Sequence, residues 1–430
     1  MRVFHAAYAW VGDRVARDVR IETADGRITA VVTGQPATGE HLPGLVLPGL
    51  ANVHSHAFHR ALRGRTHDRR GSFWSWRDLM YRVAANLDPE SYFALARAVY
   101  AEMALSGITA VGEFHYLHHT PDGTPYADPN AMGDALIAAA AEAGLRITLL
   151  DTLYLSSGVD GAPLTEAQRR FGDAGPEAWA ERVAALSAGP HAIVGSALHS
   201  VRAVPARHLT ELTVRGPLHL HLSEQRAENE QTRAVHGCTP TELLDRHGLL
   251  TPETTAVHAT HLTDDDVKTL GRTGTGVCFC PTTERDLADG IGPARDLAHA
   301  GAPLSLGSDS HAVLDMFEEI RGLEMDDRLA SEQRGRFTTA ELVGAAVRHE
   351  ALGWDDAGAL SPGKRADLVA VRLDGVRTAG TGAAGAIYAA TAADVTHVIA
   401  DGRTIVADGR HVRLDVAREL GTAIRAVVAA

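Results

Sequence analysis

Asn52-Val53-His54-Ser55-His56 ends an apolar run that begins at Gly44, and the reading of this stretch decides the fold. Residues at i and i+2 of an extended chain point to one face, so the two imidazoles reach a single ion together. The same kind of ending recurs further along the chain. His219-Leu220-His221-Leu222-Ser223-Glu224, Val257-His258 and Leu306-Gly307-Ser308-Asp309-Ser310-His311 each close an apolar run on polar, metal-capable side chains. Closed parallel barrels build their active sites from the C-terminal ends of their strands. Four such endings on separate strands therefore predict a barrel with its chemistry at one rim.

The rest of the middle region agrees. Short apolar runs at 44–54, 110–115, 147–153, 193–199, 217–222, 255–258, 276–280 and 303–308 alternate with amphipathic stretches such as 91–105, 131–143 and 177–186. This is the pattern of βα units, and eight of them make a (β/α)8 TIM barrel in the α/β class. A doubly wound open sheet is the rival, disfavoured because no Gly-rich dinucleotide loop follows an early strand. Both ends read as strands and turns: Asp18-Val19-Arg20-Ile21-Glu22-Thr23 before Asp25-Gly26, and His397-Val398-Ile399-Ala400 before Asp401-Gly402. The expected division is 1–47 and 358–430 (the latter with a terminal helix) forming one small sheet domain, and 48–357 forming the barrel.

Composition narrows the function. The 430 residues carry 41 basic and 54 acidic side chains, a formal charge of −13, which argues against nucleic acid or a membrane surface as partner. No stretch approaches ~18 uncharged apolar residues, and Met1-Arg2-Val3-Phe4-His5 does not lead into a signal-type apolar run. Three cysteines, Cys238, Cys278 and Cys280, fit a reducing compartment, so a cytoplasmic enzyme is expected.

His54, His56, His221 and Asp309 supply nitrogen and oxygen donors suited to zinc or iron, with room left for a water. Each also has an ordinary reading. A histidine at a strand end is commonly a hydrogen-bonded core residue, and on that ground His118, His119, His219, His261 and His311 stay unassigned. Taken alone, Asp309 reads equally as a helix cap and Glu224 as the start of a loop helix. Cys278 and Cys280 read as a buried, inert pair. Segment 60–82 is a local charge anomaly: arginines 60, 63, 65, 69, 70, 77 and 82 stand against Asp68 and Asp78. Guanidinium forks match carboxylates, so this segment suggests an anionic small-molecule substrate. Surface arginines account for part of the excess, but Arg77 lies between Trp76 and Leu79 in an aromatic-rich stretch.

Beyond these endings, the chain resembles the deaminase branch of the amidohydrolase superfamily, and within it the formimidoylglutamate deiminase family. The narrowest motifs are Ser72-Phe73-Trp74-Ser75-Trp76-Arg77-Asp78-Leu79-Met80-Tyr81-Arg82, Glu113-Phe114-His115-Tyr116-Leu117-His118-His119, His199-Ser200-Val201-Arg202 and Pro281-Thr282-Thr283-Glu284. The resemblance implies a barrel flanked by a β-sandwich, hydrolysis of N-formimidoyl-L-glutamate to N-formyl-L-glutamate and ammonia, and a homodimer. It places Glu224, His258 and Asp309 in catalysis, and Arg77, Tyr116, His199 and Arg202 on the substrate. The family commonly has Gln where this chain has His59, a change that keeps a substrate contact or marks a shifted substrate. Binuclear relatives bridge two ions with a carboxylated lysine. Lys268 and Lys364 are the only lysines and neither ends a barrel strand, so one divalent ion, zinc with iron as the alternative, is expected. A ring-amine aminohydrolase and a catalytically silent barrel are the competing readings.

Overall fold

A computed structural model describes residues 1–66, 73–210 and 212–428, and the side chains of all of these except 73–75. Eight strands pair in parallel in chain order: Leu50–Ser55, Ile108–His115, Arg146–Leu153, Ala192–Leu198, Leu218–Leu222, Thr254–His258, Gly276–Phe279 and Leu304–Leu306. The last returns to the first, because His54 O accepts the backbone N–H groups of Ser308 and Asp309 at 3.1 and 3.0 Å. Asn52 fastens the same seam, bonding Ser308 Oγ and the Ser308 N–H at 2.7 and 2.9 Å. Gly307 makes the closure possible: a Cβ there would lie 2.8 Å from both the Cβ and the carbonyl oxygen of His54. The barrel expected from the strand endings is present.

Helices pack outside it. Pro89–Leu105 is set by Pro at its first position and an Asp88–Ser91 capping box, and it buries Leu95, Val99 and Met103. Ala131–Ala143 ends on left-handed Gly144. Among the described helices none is long and apolar enough to cross a membrane.

Both termini build the flanking unit, in which eight strands pair as one continuous mixed sheet around a separate core that includes Phe4, Ile21, Leu42 and Ile399. One expectation changes here. The run 44–54 is two strands: Glu40–Pro48 belongs to the terminal sheet, where it pairs with Leu368–Val371, and Leu50–Ser55 belongs to the barrel. Gly49 is the crossing point, since a Cβ there would fall 2.2 Å from Thr109 Oγ1. Apolar content on either side is equal, so composition alone hides the break. Arg146, fully buried, ties the two units by pairing with Asp367 and, at 3.0 Å, with Asp401.

Candidate active site

Four donors from three strand ends converge at the barrel mouth. His54 Nε2 lies 3.2 Å from His221 Nε2 and 3.5 Å from Asp309 Oδ1, and His56 Nε2 lies 3.4 Å from the same oxygen. Tetrahedral coordination with bonds of about 2.0–2.1 Å places donors about 3.3 Å apart. The spacing therefore fits one small divalent cation. The rings are oriented for it as well. His56 Nδ1 donates to the Phe114 carbonyl at 2.9 Å and His221 Nδ1 to the His199 carbonyl at 2.8 Å, which leaves both Nε2 lone pairs aimed inward. Burial lowers His54 to about 3, against the opposing pull of Asp309, and lowers His56 and His221 as well. At neutral pH all three are neutral, as ligands must be. Burial also works against ionised Asp309, but the surrounding imidazoles of His54, His258 and His56 hold its carboxyl well below the usual range.

His258 differs from these three. Its Nδ1 is 3.4 Å from Glu284 Oε1 and its Nε2 is 3.6 Å from Asp309 Oδ2. Burial lowers its pKa, yet the Glu284 hydrogen bond and the charges of Glu224 and Asp309 outweigh it and raise the value to about 10. These neighbours favour the protonated form of His258. Ser223, His258, Ala259, Asp309 and His311 all have positive φ, between 39° and 70°. Side chains other than glycine rarely adopt that conformation, and it concentrates here where strands turn abruptly into the rim.

A narrow cavity of ≈ 90 Å³ opens on the cluster. His56, His59, Arg77, Tyr116, His199, Arg202, His221, Glu224, His258 and Asp309 line it, with Trp76, Tyr81, Tyr154 and Phe171 forming an aromatic collar. His54 lies beneath, fully buried. All the site residues named from the sequence thus meet in one place. His59 Nε2 bonds Tyr116 Oη at 3.0 Å, and Arg202 Nη2 is 3.3 Å from Glu224 Oε2.

A profile of the amidohydrolase family matches residues 45–405, and one of formimidoylglutamate deiminase HutF, N-terminal domain, matches residues 1–43. The chain is 39% identical over 400 residues to formimidoylglutamate deiminase of Pseudomonas aeruginosa, covering 87% of this chain and 86% of that one. The chain belongs to the amidohydrolase family, in its formimidoylglutamate deiminase branch. It is also 32% identical to 8-oxoguanine deaminase of Pseudomonas aeruginosa, covering 78% of this chain and 76% of the relative. The solved structure of an amidohydrolase from Brucella melitensis superposes over 100% of both chains, with a TM-score of 0.93 and 35% identity.

Several amidohydrolase-site features were not read from the sequence. Glu113 is fully buried, accepting from Ser55 Oγ at 2.9 Å and the Ala57 N–H at 2.7 Å, and burial raises it to about 8. Ser55 Oγ also meets His311 Nε2 at 3.0 Å, so this network braces the turn between His54 and His56. Glu284 stands in a motif that had no role attached. Cys280, read as inert, lies with donor atoms of His258 and Asp309 within 4.8 Å of one another, but burial pushes its thiol well up and keeps it protonated.

Segment 60–82 needs correction. Its second half lies in the helix Phe73–Ala85, and among its described arginines Arg77 alone lines the cavity. Arg60 and Arg63 both pair with Glu102, at 2.7 and 2.8 Å, and serve the fold. Asp68, Arg69, Arg70 and Ser72 lie outside the described residues. Of the unassigned histidines, His219 donates to the Ala351 carbonyl at 2.8 Å and His118 to that of Thr152 at 2.9 Å, ordinary buried roles. Lys268 and Lys364 lie away from the site, on Asp265 and the Asp355 carbonyl.

Proposed function

We propose that the chain hydrolyses N-formimidoyl-L-glutamate to N-formyl-L-glutamate and ammonia with one divalent ion, zinc or iron, held by His54, His56, His221 and Asp309. The observation that carries this reading is the shared cavity: neutral imidazoles gather at its floor while Arg77 and Arg202 line its wall. A divalent ion in such a donor set supplies Lewis acidity and makes hydroxide available near neutral pH.

The chain's own groups do the rest. Arg77, Arg202, Tyr116, His59 and His199 present cationic and hydrogen-bonding groups to the two carboxylates of the glutamate part. Asp309 Oδ2 takes the proton released as water oxygen bonds to the amidine carbon. His258, protonated and oriented by Glu284, donates a hydrogen bond from Nε2 to that oxygen as it attacks. Glu224 protonates the imino nitrogen during this addition. The proton held on Asp309 then goes to that nitrogen, the C–N bond breaks and ammonia leaves, while the proton remaining on the water-derived oxygen passes to Glu224 and leaves the formyl C=O. The collar of Trp76, Tyr81, Tyr154 and Phe171 keeps bulk water from the reacting carbon.

The test is ammonia release by metal-loaded protein from N-formimidoyl-L-glutamate, N-formimidoyl-L-aspartate, an uncharged alkyl formamidine and 8-oxoguanine. The reading expects kcat/KM highest for the glutamate derivative and at least 100-fold lower for the uncharged formamidine. Turnover of 8-oxoguanine alone favours the ring-amine reading, and silence across the panel favours a binding protein. Either result overturns the proposal.

A further inference from the structure

Arg202 stands between two chambers. It borders the inner cavity and a wider outer one of ≈ 690 Å³, and Arg77, Tyr154 and His199 are shared by both. Its guanidinium faces two carboxylates: Nη2 is 3.3 Å from Glu224 Oε2, and Nε is 3.0 Å from Glu228 Oε2. Glu228 lies in the first turn of the helix Arg226–His236 and is 1% exposed. Its other oxygen accepts the Ser223 N–H at 2.9 Å, while Ser223 Oγ bonds Asn229 Oδ1 at 2.8 Å. Glu228 is therefore anchored to the backbone of the turn that carries Glu224.

An arginine beside one carboxylate closes to about 2.7–2.9 Å. Neither contact is that short: Nη2 hydrogen-bonds Glu224 at 3.3 Å, and the Glu228 pair at 3.0 Å is closer but not aligned as a hydrogen bond, so two loose ionic contacts hold Arg202. A guanidinium has five N–H donors, so two carboxylate contacts leave donors for a third. We infer that Glu228 is a positioning residue that draws Arg202 away from Glu224 and holds it at the partition between the chambers, where it receives a substrate carboxylate. The inference rests on the proposed carboxylate-bearing substrate. Glu228 touches no reacting atom, and its effect passes through Arg202.

A double-mutant cycle tests this. Glu228→Gln should raise KM for N-formimidoyl-L-glutamate tenfold or more while kcat stays within threefold. In an Arg202→Gln background the same change should move KM less than twofold. Glu228→Asp, which keeps the charge, should recover part of the loss. Equal factors in both backgrounds, or a loss confined to kcat, would overturn the inference and leave Glu228 a structural residue. If Glu228→Gln fails to fold, judged by unfolding temperature and metal content, Glu228→Asp replaces it in the cycle with the same non-additivity expected. If the wild-type protein does not hydrolyse N-formimidoyl-L-glutamate, the proposed reaction falls. The inference is then judged separately by calorimetric binding of glutarate to the four proteins, where additive losses or unchanged binding would count against it.

Discussion

His56 and Asp309 meet across the seam where the barrel closes. The His56 N–H bonds the Asp309 carbonyl at 3.2 Å, and His56 Nε2 lies 3.4 Å from Asp309 Oδ1. One of the contacts that close the barrel and a contact between two of the proposed metal donors therefore use the same pair of residues. A shift in the closing strand would move the ligand set with it, so fold and site are specified jointly.

In the proposed reaction Glu224 protonates the substrate nitrogen; it lines the cavity but is absent from the donor set at the barrel floor. Glu224→Gln should lower kcat by about 10²–10⁴ while metal content is unchanged. Elemental analysis beside steady-state kinetics checks both halves. Retained turnover in the loaded variant removes Glu224 from that role.

Recognition should divide between Arg77 and His59 unequally. A hydrogen bond to a charged group is worth about 1.5–3 kcal/mol, so Arg77→Gln should cost roughly 10- to 150-fold in kcat/KM for the dicarboxylate. The uncharged formamidine should be affected far less. His59 contacts Tyr116 Oη through one ring nitrogen, a bond that a Gln amide reproduces. His59→Gln should leave kcat/KM within about threefold and the order of preferred substrates unchanged.

The His258–Glu284 pair predicts a pH effect with a definite sign. The proposed reaction uses protonated His258, whose pKa is raised to about 10, so activity should fall as pH rises toward that value. Glu284→Gln removes a charge and hydrogen bond that raise it. The alkaline limb of the kcat profile should then move to lower pH. An unmoved limb would show that His258 does not act as a cation.

Much of this was legible because barrel strands are short apolar runs that stop on polar groups, and the stops carry the chemistry. His54, His56, His221 and Asp309 stand out for that reason. Glu113, Glu284 and Glu228 do not, since a carboxylate's role depends on what faces it across the barrel, and nothing in its neighbours along the chain reports that. Arg60 and Arg63 illustrate the converse: their charge suggested a ligand, whereas their partner Glu102 lies on a helix some 40 positions away. The break at Gly49 was hidden because strands of both sheets are equally apolar.

Stability away from the metal rests partly on Arg182, which is buried between Asp151 and Asp173 and pairs with them at 2.7 and 2.8 Å. Burial opposes both charges, yet Arg182 with neighbouring imidazoles holds both carboxyls below their ordinary 3.8. Depressed carboxyls stabilise above the unfolded pKa, and that contribution is lost as pH falls from about 4 through the folded values. Arg182→Ala strands two buried carboxylates and should cost about 3–5 kcal/mol at pH 7. Urea unfolding at pH 7 and pH 4 should show the deficit shrinking at the lower pH. An undiminished deficit would mean that lost packing, not charge, is responsible.

The most direct measurement is a metal titration of chelator-treated protein with ammonia release from N-formimidoyl-L-glutamate as the readout. A single divalent ion held by His54, His56, His221 and Asp309 predicts no activity at the start, a linear rise, and a plateau at one ion per chain. Full activity in the stripped protein, a plateau at two ions, or no ammonia at any loading would contradict it.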